Sequence, residues 1–360
     1  MLQIYCSGPP YEIGYSHGLA ASSQVVSGLS FYASLFQHQC HMNWSEVCDV
    51  AVKFLPFLES KHHDLVEEMR GVADGAGVPF ASILAMNVRT EIAYGMFQSD
   101  GCTSLAWRSS DNTSSFLAQN WDWQHEQKSN LISLRIRQQN LDEERREQEL
   151  PVIHMITEAG IIGKIGMNSA GVGVCLNAIR ARGVKFNALP CHLALRRCME
   201  AKSRDAAIEL LEHHGVASAC HILVADAEKE GMGLECSAHD IVKLIAEEGV
   251  VTHTNHYILP HDRDVEEHGT WKDSPLRLKR INEMIGLRKG AEQVPSTEDI
   301  RAMLRDEQGY PTSINRHETP TSTVATLFTI VMDLKEGNAT VTLGRPTSIE
   351  ETVELEPGKA

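Results

Sequence analysis

The period of the hydrophobic pattern changes once along this chain, near residue 95, and that change limits the folds available to it. Before this point apolar residues recur at helical spacing, as Leu65, Met69 and Val72 do, and Gly75 and Gly77 supply an exit. After it come short alternating or β-rich segments, beginning with CTSLAWRSS at Cys102. The order therefore predicts a helical N-terminal segment followed by a core that contains β-sheets.

Proline, serine and glycine set the predicted helix ends. Pro56 cannot donate a backbone hydrogen bond, so the stripe of apolar residues around it should end or kink near Leu55. Pro79 suits a first helical turn and opens a third helix that runs toward Tyr94. Further on, a pair of helices is predicted over residues 190–215, the second of them capped by Ser203 and stopped by a glycine.

Strands are predicted on both sides of that helical pair. Residues 102–179 read as consecutive antiparallel strands, interrupted by a charged loop at 140–149, and residues 220–258 read as four more. Helical segments follow at 275–287 and 299–304, and the last element is a hairpin with its turn at 335–338. This order predicts an α+β fold in which two sheets pack face to face with helices outside.

Charge and composition restrict the partners. A formal charge of −15 disfavours binding to nucleic acid or to an anionic membrane, and an apolar content of 42% is enough for a large core. No apolar run reaches about 18 residues, and MLQIYCSGPP lacks the pattern of a signal peptide. The C-terminal EPGKA is not an S-K-L-type signal. We therefore expect small-molecule partners, no nucleic acid or membrane, and a cytoplasmic location.

The cysteines and histidines do not predict a metal site. The nine cysteines include no C-x-x-C pair, and most are expected to be small buried hydrophobes. His253, His256 and His261 lie close in sequence, but residues three apart on a strand face opposite sides. Neither a bound metal nor another bound cofactor is expected.

Cys102 follows a glycine at the start of the first strand after the helical segment. Nine cysteines and 26 glycines make a chance Gly-Cys pair unsurprising, and a buried core cysteine is the simpler interpretation. A thiol in this place also has a specific chemistry: it can attack the carbonyl of Gly101, because a residue without Cβ permits a strained conformation and close approach. Cleavage would free the α-amine of Cys102, whose ordinary pKa of about 7.7 to 8 suits a general base.

Long ordered motifs extend this hypothesis. The chain contains YEIGYSHG, NVRTEIAYG, DGCTS, AQNWDW, ITEAGIIGKIGMNSAGVGV, VTHTNH and VTLGRPTS. In these it resembles the fungal acyl-coenzyme A:6-aminopenicillanic acid acyltransferase family, also called isopenicillin N acyltransferases. The resemblance implies a four-layer αββα N-terminal nucleophile hydrolase fold. It also implies self-cleavage between Gly101 and Cys102 into an α/β heterodimer of residues 1–101 and 102–360.

The resemblance also implies the site. Cys102 matches the nucleophile, Asp122 in NWDW the acid that positions and assists it, and Asn255 in HTNH the group that holds the oxyanion. A side-chain amide can donate a hydrogen bond to the charge that develops on a tetrahedral oxygen. Taken singly, Asp122 and Asn255 would be read as a turn acid and a strand-end amide. Five further residues are candidates for the substrate pocket: Thr103, Ser104, Trp121, Trp123 and Ser322.

One motif departs from the family. Where relatives carry Ser-Arg-Gly, this chain has Ser322, Thr323 and Val324, so the family's arginine is replaced by Thr323. Threonine cannot supply the five-donor fork of a guanidinium. The acyl carrier, the acceptor or the rate of cleavage is therefore expected to differ from that of the relatives.

The expected activity is acyl transfer from acyl-coenzyme A, as a co-substrate, or from an amide to a small amine of secondary metabolism. One alternative keeps the same acyl-enzyme but ends in hydrolysis, as in an amidohydrolase that cleaves a small acyl or β-alanyl amide. A second alternative, motivated by Thr323, is a binding protein that has the same fold but neither cleaves itself nor catalyses a reaction.

Overall fold

Two β-sheets that face each other, with helices on both outer sides, form the core of the molecule. The computed structural model describes residues 1–93, 101–139, 150–262, 265–267, 272–289 and 294–359. The predicted loop at 140–149 lies outside these residues, as does the predicted end of the third helix at Tyr94. The predicted α+β sandwich is confirmed.

The segment before Cys102 is not purely helical, which corrects the prediction. Its described elements are β1 (Leu2–Gly8), α1 (Pro10–Ala20), α2 (Ser22–Gln39), α3 (Trp44–Ala51), α4 (Leu55–Lys61), α5 (His63–Ala76), α6 (Phe80–Asn87) and α7 (Arg89–Ala93). Strand β1 buries Ile4 and Cys6 on one face and pairs in parallel with a strand formed by residues 131–138. The first segment therefore contributes a strand to the larger sheet.

The predicted break near Leu55 and the helix exit at Gly77 are confirmed, whereas Gly75 lies inside α5. The predicted third helix is interrupted at Val88, between α6 and α7. A short 3-10 helix, Val52–Phe54, separates α3 from α4 where Pro56 predicted a break. Helix α5 ends at Gly77, which has the left-handed φ of 68° that favours glycine. Within the described residues no single helix is long and apolar enough to cross a membrane. Helices α1 and α2 reach that length and composition only together, with a bend of 83° between them.

The larger sheet has eight strands in the order β1-β4-β5-β6-β7-β8-β9-β10. Its remaining strands are β4 (Leu131–Gln138), β5 (Ile153–Glu158), β6 (Ile165–Asn168), β7 (Gly173–Ala178), β8 (Cys220–Ala225), β9 (Met232–Cys236) and β10 (Ile241–Ile245). From β4 onward each strand is antiparallel to the next, as the sequence predicted.

The smaller sheet has six strands in the order β11-β2-β3-β12-β13-β14. They are β2 (Thr103–Arg108), β3 (Ser115–Gln124), β11 (Val250–His253), β12 (Val324–Asp333), β13 (Asn338–Arg345) and β14 (Ser348–Leu355). Strands β3 and β4 lie in different sheets, so the predicted run of consecutive antiparallel strands is interrupted there. The predicted hairpin of β12 and β13 is confirmed, whereas β14 was not predicted.

The outer helices divide between the two sheets. Helices α8 (Cys191–Glu200) and α9 (Arg204–His214) lie on the larger sheet, and α10 (Ser274–Lys289) and α11 (Thr297–Leu304) lie on the smaller one. As predicted, the Ser203 side chain accepts a hydrogen bond from the backbone of α9, which ends before Gly215. Between the sheets, a Cβ on Gly173 would lie 2.9 Å from Leu117. The two sheets therefore pack closely around Gly173.

Candidate active site

Strand register brings the three predicted catalytic residues to one end of the smaller sheet. Strand β2 begins one residue after Cys102, and its antiparallel pairing places Thr103 opposite Asn120 on β3 and Ser104 opposite His253 on β11. Asp122 and Asn255 each lie two residues beyond those partners. All three candidates are buried.

Cys102 contacts the main chain of Asp122. Its side chain is 2% exposed, and its Sγ lies 3.8 Å from the backbone oxygen of Asp122, to which the thiol donates. This contact places the thiol against strand β3.

The Asp122 carboxyl group lies in a buried polar environment. Its Oδ1 accepts a hydrogen bond of 2.7 Å from the Thr326 hydroxyl, and its Oδ2 lies 3.3 Å from Nε of Arg316 without a well-directed hydrogen bond. Burial raises the pKa of Asp122 to about 7, against the opposing charges of Arg316 and Arg277. This carboxyl group can therefore gain or lose a proton near neutral pH.

The orientation of the Asn255 amide is determined by an arginine. Asn255 Oδ1 accepts a hydrogen bond of 2.9 Å from Nη2 of Arg277. Its Nδ2 donates a hydrogen bond of 3.0 Å to the carbonyl of Ala178, at the end of β7. Because a guanidinium only donates, the amide oxygen must face Arg277 and the NH₂ group must face the opposite side. Arg277 and Ala178 together fix the orientation of this amide, and Ala178 lines the cleft described below.

Two arginines that the sequence analysis missed lie next to the Gly101–Cys102 bond. Arg277 on α10 donates a hydrogen bond of 2.7 Å to the Cys102 carbonyl and one of 3.0 Å to the Thr103 hydroxyl. Arg316, in the loop before β12, packs against Gly101. Asp273 Oδ2 accepts from Nε of Arg277 at 3.1 Å and from Nη2 of Arg316. Neither arginine falls in a quoted motif, so only the fold reveals their position.

A narrow cleft opens beside Cys102 and has about 60 Å³ of free space. Trp121 and Trp123 form part of its wall, together with the buried Lys164. The Lys164 ammonium lies 3.8 Å from the centre of the Trp121 ring. The segment before Cys102 contributes Arg89, Thr90 and Ala93, so both sides of the Gly101–Cys102 bond build the cleft.

A buried ionic cluster supports this wall. Glu158 on β5 accepts hydrogen bonds of 2.7 Å from Arg89 and of 2.5 Å from Lys164. The Tyr32 hydroxyl also donates a hydrogen bond to this carboxylate. Although burial opposes ionisation, Arg89 and Lys164 hold the pKa of Glu158 below its ordinary value. Burial lowers the pKa of Lys164 to about 8, despite the attraction of Glu158.

The remaining predicted pocket residues do not line this cleft. Thr103 contacts Arg277, and the Ser104 hydroxyl donates 2.6 Å to Asn177. Ser322 lies in the turn before β12. Of the five candidates, the structure places Trp121 and Trp123 in the wall of the cleft.

Thr323, the position at which the sequence analysis expects the family's arginine to be replaced, is exposed, and its carbonyl accepts a hydrogen bond of 2.9 Å from the backbone N–H of His125. The guanidinium groups near Asp122 are those of Arg316 and Arg277 instead.

The three histidines considered as metal ligands are paired with carboxylate or hydroxyl oxygens, and His253 and His261 share Glu235. His253 Nε2 lies 2.8 Å from Glu235, His256 Nδ1 lies 2.7 Å from the Ser274 hydroxyl, and His261 Nδ1 lies 2.8 Å from Asp240. In the part of the chain that the structure describes, no group of three or more His, Cys, Asp or Glu side chains is arranged to hold a metal ion.

Known proteins share the sequence and the fold. A model of the family described as acyl-coenzyme A:6-aminopenicillanic acid acyl-transferase matches residues 107–348. The 40 kDa form of acyl-coenzyme A:6-aminopenicillanic-acid-acyltransferase from Emericella nidulans is 36% identical over 356 residues, which are 98% of this chain and 95% of that protein.

Two crystal structures of conjugated bile acid hydrolase variants from Clostridium perfringens match the fold. They give TM-scores of 0.52 and 0.50, with 12% and 11% sequence identity, over 71% of this chain and 92% of each of those chains. The predicted N-terminal nucleophile hydrolase fold is thereby confirmed. The chain belongs to the acyl-coenzyme A:6-aminopenicillanic acid acyl-transferase family, and so to a family of enzymes that transfer acyl groups.

Proposed function

We propose that the protein is a self-processing cysteine enzyme that transfers an acyl group from acyl-coenzyme A or an amide to a small amine. One observation carries this proposal: the thiol of Cys102, the residue after Gly101, lines a cleft and contacts the backbone of Asp122, and Arg277 links the Cys102 carbonyl to the Asn255 amide. The names of the family and of the Emericella relative support the donor class.

Self-processing would begin with attack of the Cys102 sulfur on the Gly101 carbonyl carbon. The S–C bond forms, the C–N bond breaks, and the proton released by the thiol ends on the new α-amine of Cys102. Water then adds to the thioester, leaving a carboxylate on Gly101 and restoring the thiol. Asp122, whose pKa of about 7 lies near the working pH, is suited to pass the proton between sulfur and nitrogen.

The mature enzyme would use the same sulfur on its substrate. The freed amine of Cys102 takes the thiol proton, and the sulfur attacks the donor carbonyl to form an acyl-cysteine. The Asn255 NH₂ group, fixed by Arg277, donates to the oxyanion, and removal of one such donor typically costs about 2.7 to 4 kcal/mol of barrier. Attack by an amine on the acyl-cysteine completes the transfer.

Charge in the cleft favours a substrate with an anionic group. Arg89 and Lys164 face the cleft, and Glu158 supplies a single carboxylate between them. Burial holds the neighbouring His192 neutral by lowering its pKa. The phosphates of coenzyme A and the carboxylate of a compound such as 6-aminopenicillanic acid both fit this excess of positive charge.

Transfer and hydrolysis differ in what releases the acyl group. We would incubate the purified protein with an acyl-coenzyme A, with and without small amines that carry a carboxylate, and follow release of the coenzyme A thiol. Release that depends on the amine supports transfer. Equal release without the amine would show hydrolysis and contradict the transferase part of the proposal.

A further inference from the structure

Gly101 leaves no space for a side chain. A Cβ built on it would lie 2.0 Å from Nε of Arg316, 2.6 Å from Cζ and 2.7 Å from Nη2, all far inside van der Waals contact. Of the two reasons that the sequence offered for glycine here, the structure supports close approach.

The guanidinium of Arg316 is held in place on several sides. Its Nη2 donates to Asp273, and its Nε lies 3.3 Å from Asp122 Oδ2. Its backbone exchanges hydrogen bonds with Thr326: Arg316 N donates 3.0 Å to the hydroxyl, and Thr326 N donates 3.2 Å to the Arg316 carbonyl. The side chain is only 11% exposed, so moving it aside would break buried ionic contacts.

A second guanidinium lies on the other side of the same bond. Arg277 donates 2.7 Å to the Cys102 carbonyl, whereas Arg316 packs against Gly101. Both arginines contact Asp273, which ties the two guanidinium groups together. The Gly101–Cys102 peptide is therefore held from both sides by groups that share one carboxylate.

We propose that Arg316 is a positioning residue for self-cleavage, which holds the Gly101–Cys102 peptide against Cys102 and restricts position 101 to glycine. The proposal rests on the proposed function, since it concerns the cleavage step of the same site. Arg316 neither forms nor breaks a bond in that step. It fixes the distance between the sulfur and the Gly101 carbonyl carbon, and distance is decisive for an intramolecular attack.

The claim that Arg316 restricts position 101 to glycine is tested without cleavage, in a parent protein that carries Cys102→Ala. Thermal unfolding midpoints are compared for this parent, for Gly101→Ala, for Arg316→Ala and for the two changes together. We expect Gly101→Ala to lower the midpoint by about 3 °C or more when Arg316 is present and by less than about 1 °C when it is absent. Equal shifts in both backgrounds would overturn the proposal, whether or not the native chain cleaves itself.

The positioning part is tested with Cys102 in place, by following conversion to residues 1–101 and 102–360 on denaturing gels. We expect Gly101→Ala to slow cleavage by at least about 100-fold and Arg316→Ala by about 10-fold. Combining them should cleave faster than Gly101→Ala alone. A double variant no faster than Gly101→Ala would contradict the proposal, as would Arg316→Ala at the native rate. Arg305→Ala, which removes an exposed pair with Glu298, is the matched control and should cleave normally.

The pH profile of cleavage separates positioning from general loss of structure. Four groups surround Asp122: Arg316 in the loop before β12, Arg277 on α10, the Thr326 hydroxyl on β12 and the Cys102 thiol before β2. The charges of both arginines lower the pKa of Asp122. In Arg316→Ala the midpoint of the profile should therefore move to higher pH, and Arg316→Lys should restore most of the shift. An unchanged midpoint in Arg316→Ala would contradict the assignment. A native chain that never cleaves would instead contradict the proposed function.

Discussion

The Glu158 carboxylate lies 2.7 Å from the Arg89 guanidinium, and the two residues come from opposite sides of the Gly101–Cys102 bond. Tyr32 of the first segment also donates to Glu158, as does Lys164 of the core. Side chains of the first segment and of the core thus form one fully buried ionic cluster next to the cleft. After cleavage this cluster would help to keep the two pieces together.

We expect Glu158→Gln to destabilise the protein strongly, because it leaves Arg89 and Lys164 as buried charges without a carboxylate. Loss of one partner from a buried ion pair typically costs about 3 to 5 kcal/mol. The free energy of unfolding in denaturant measures the effect in a Cys102→Ala parent. The control is Glu350→Gln, which removes a half-exposed pair with Lys128 and should cost less than about 1 kcal/mol. Equal losses for the two variants would contradict the importance of the cluster.

Asp122 should make stability depend on pH. Burial raises its pKa from 3.8 to about 7, so between these values the folded chain holds a proton that the unfolded chain releases. Its contribution to stability is therefore fully present below pH 4 and decreases until about pH 7, by an amount on the order of 4 kcal/mol. In a Cys102→Ala parent, Asp122→Asn should gain stability over the parent across this interval. A difference that does not change with pH would contradict the assignment.

Asp111 provides a comparison of opposite sign. Hydrogen bonds from Ser109 and Thr113 lower the pKa of this exposed carboxylate, so its contribution is present above pH 4 and is lost as pH falls further. The difference in the free energy of unfolding between Asp111→Asn and the parent should therefore change only below about pH 4, in the same series of pH values.

Asn255 should contribute to the chemical step rather than to binding. Asn255→Ala removes the amide that Arg277 orients, and we expect kcat of the mature enzyme to fall by about 100- to 1000-fold with little change in KM. Asn282→Ala is the control, since this amide on α10 accepts 2.7 Å from the Thr252 hydroxyl. Loss of activity in both variants, or a change in KM alone for Asn255→Ala, would contradict the oxyanion role.

The local elements were predictable because each follows from neighbouring residues. Gly77 ends α5 with a left-handed φ, and Ser203 caps α9, both through interactions within a few positions. Strand β1 was missed because its partner β4 lies about 130 residues away and its seven residues carry only a short alternation. Nonlocal pairing of this kind leaves little trace in a short segment.

The residues of the candidate site likewise include some that the sequence predicts and others that only the fold reveals. Cys102, Asp122 and Asn255 stand in recognisable motifs, and strand register then places them at one sheet end. Arg277 and Arg316 reach the same place from a helix and a loop whose local sequences resemble many solvated surfaces. Their role depends on how α10 and the loop before β12 pack on the smaller sheet, which no local pattern encodes.

Self-cleavage is the central claim, and the intact mass of the purified protein tests it most directly. We predict two masses, for residues 1–101 and 102–360, and a single mass for the full chain when Cys102 is replaced by alanine. A native protein that acts on an acyl-coenzyme A or an amide while its mass remains that of residues 1–360 would contradict the account.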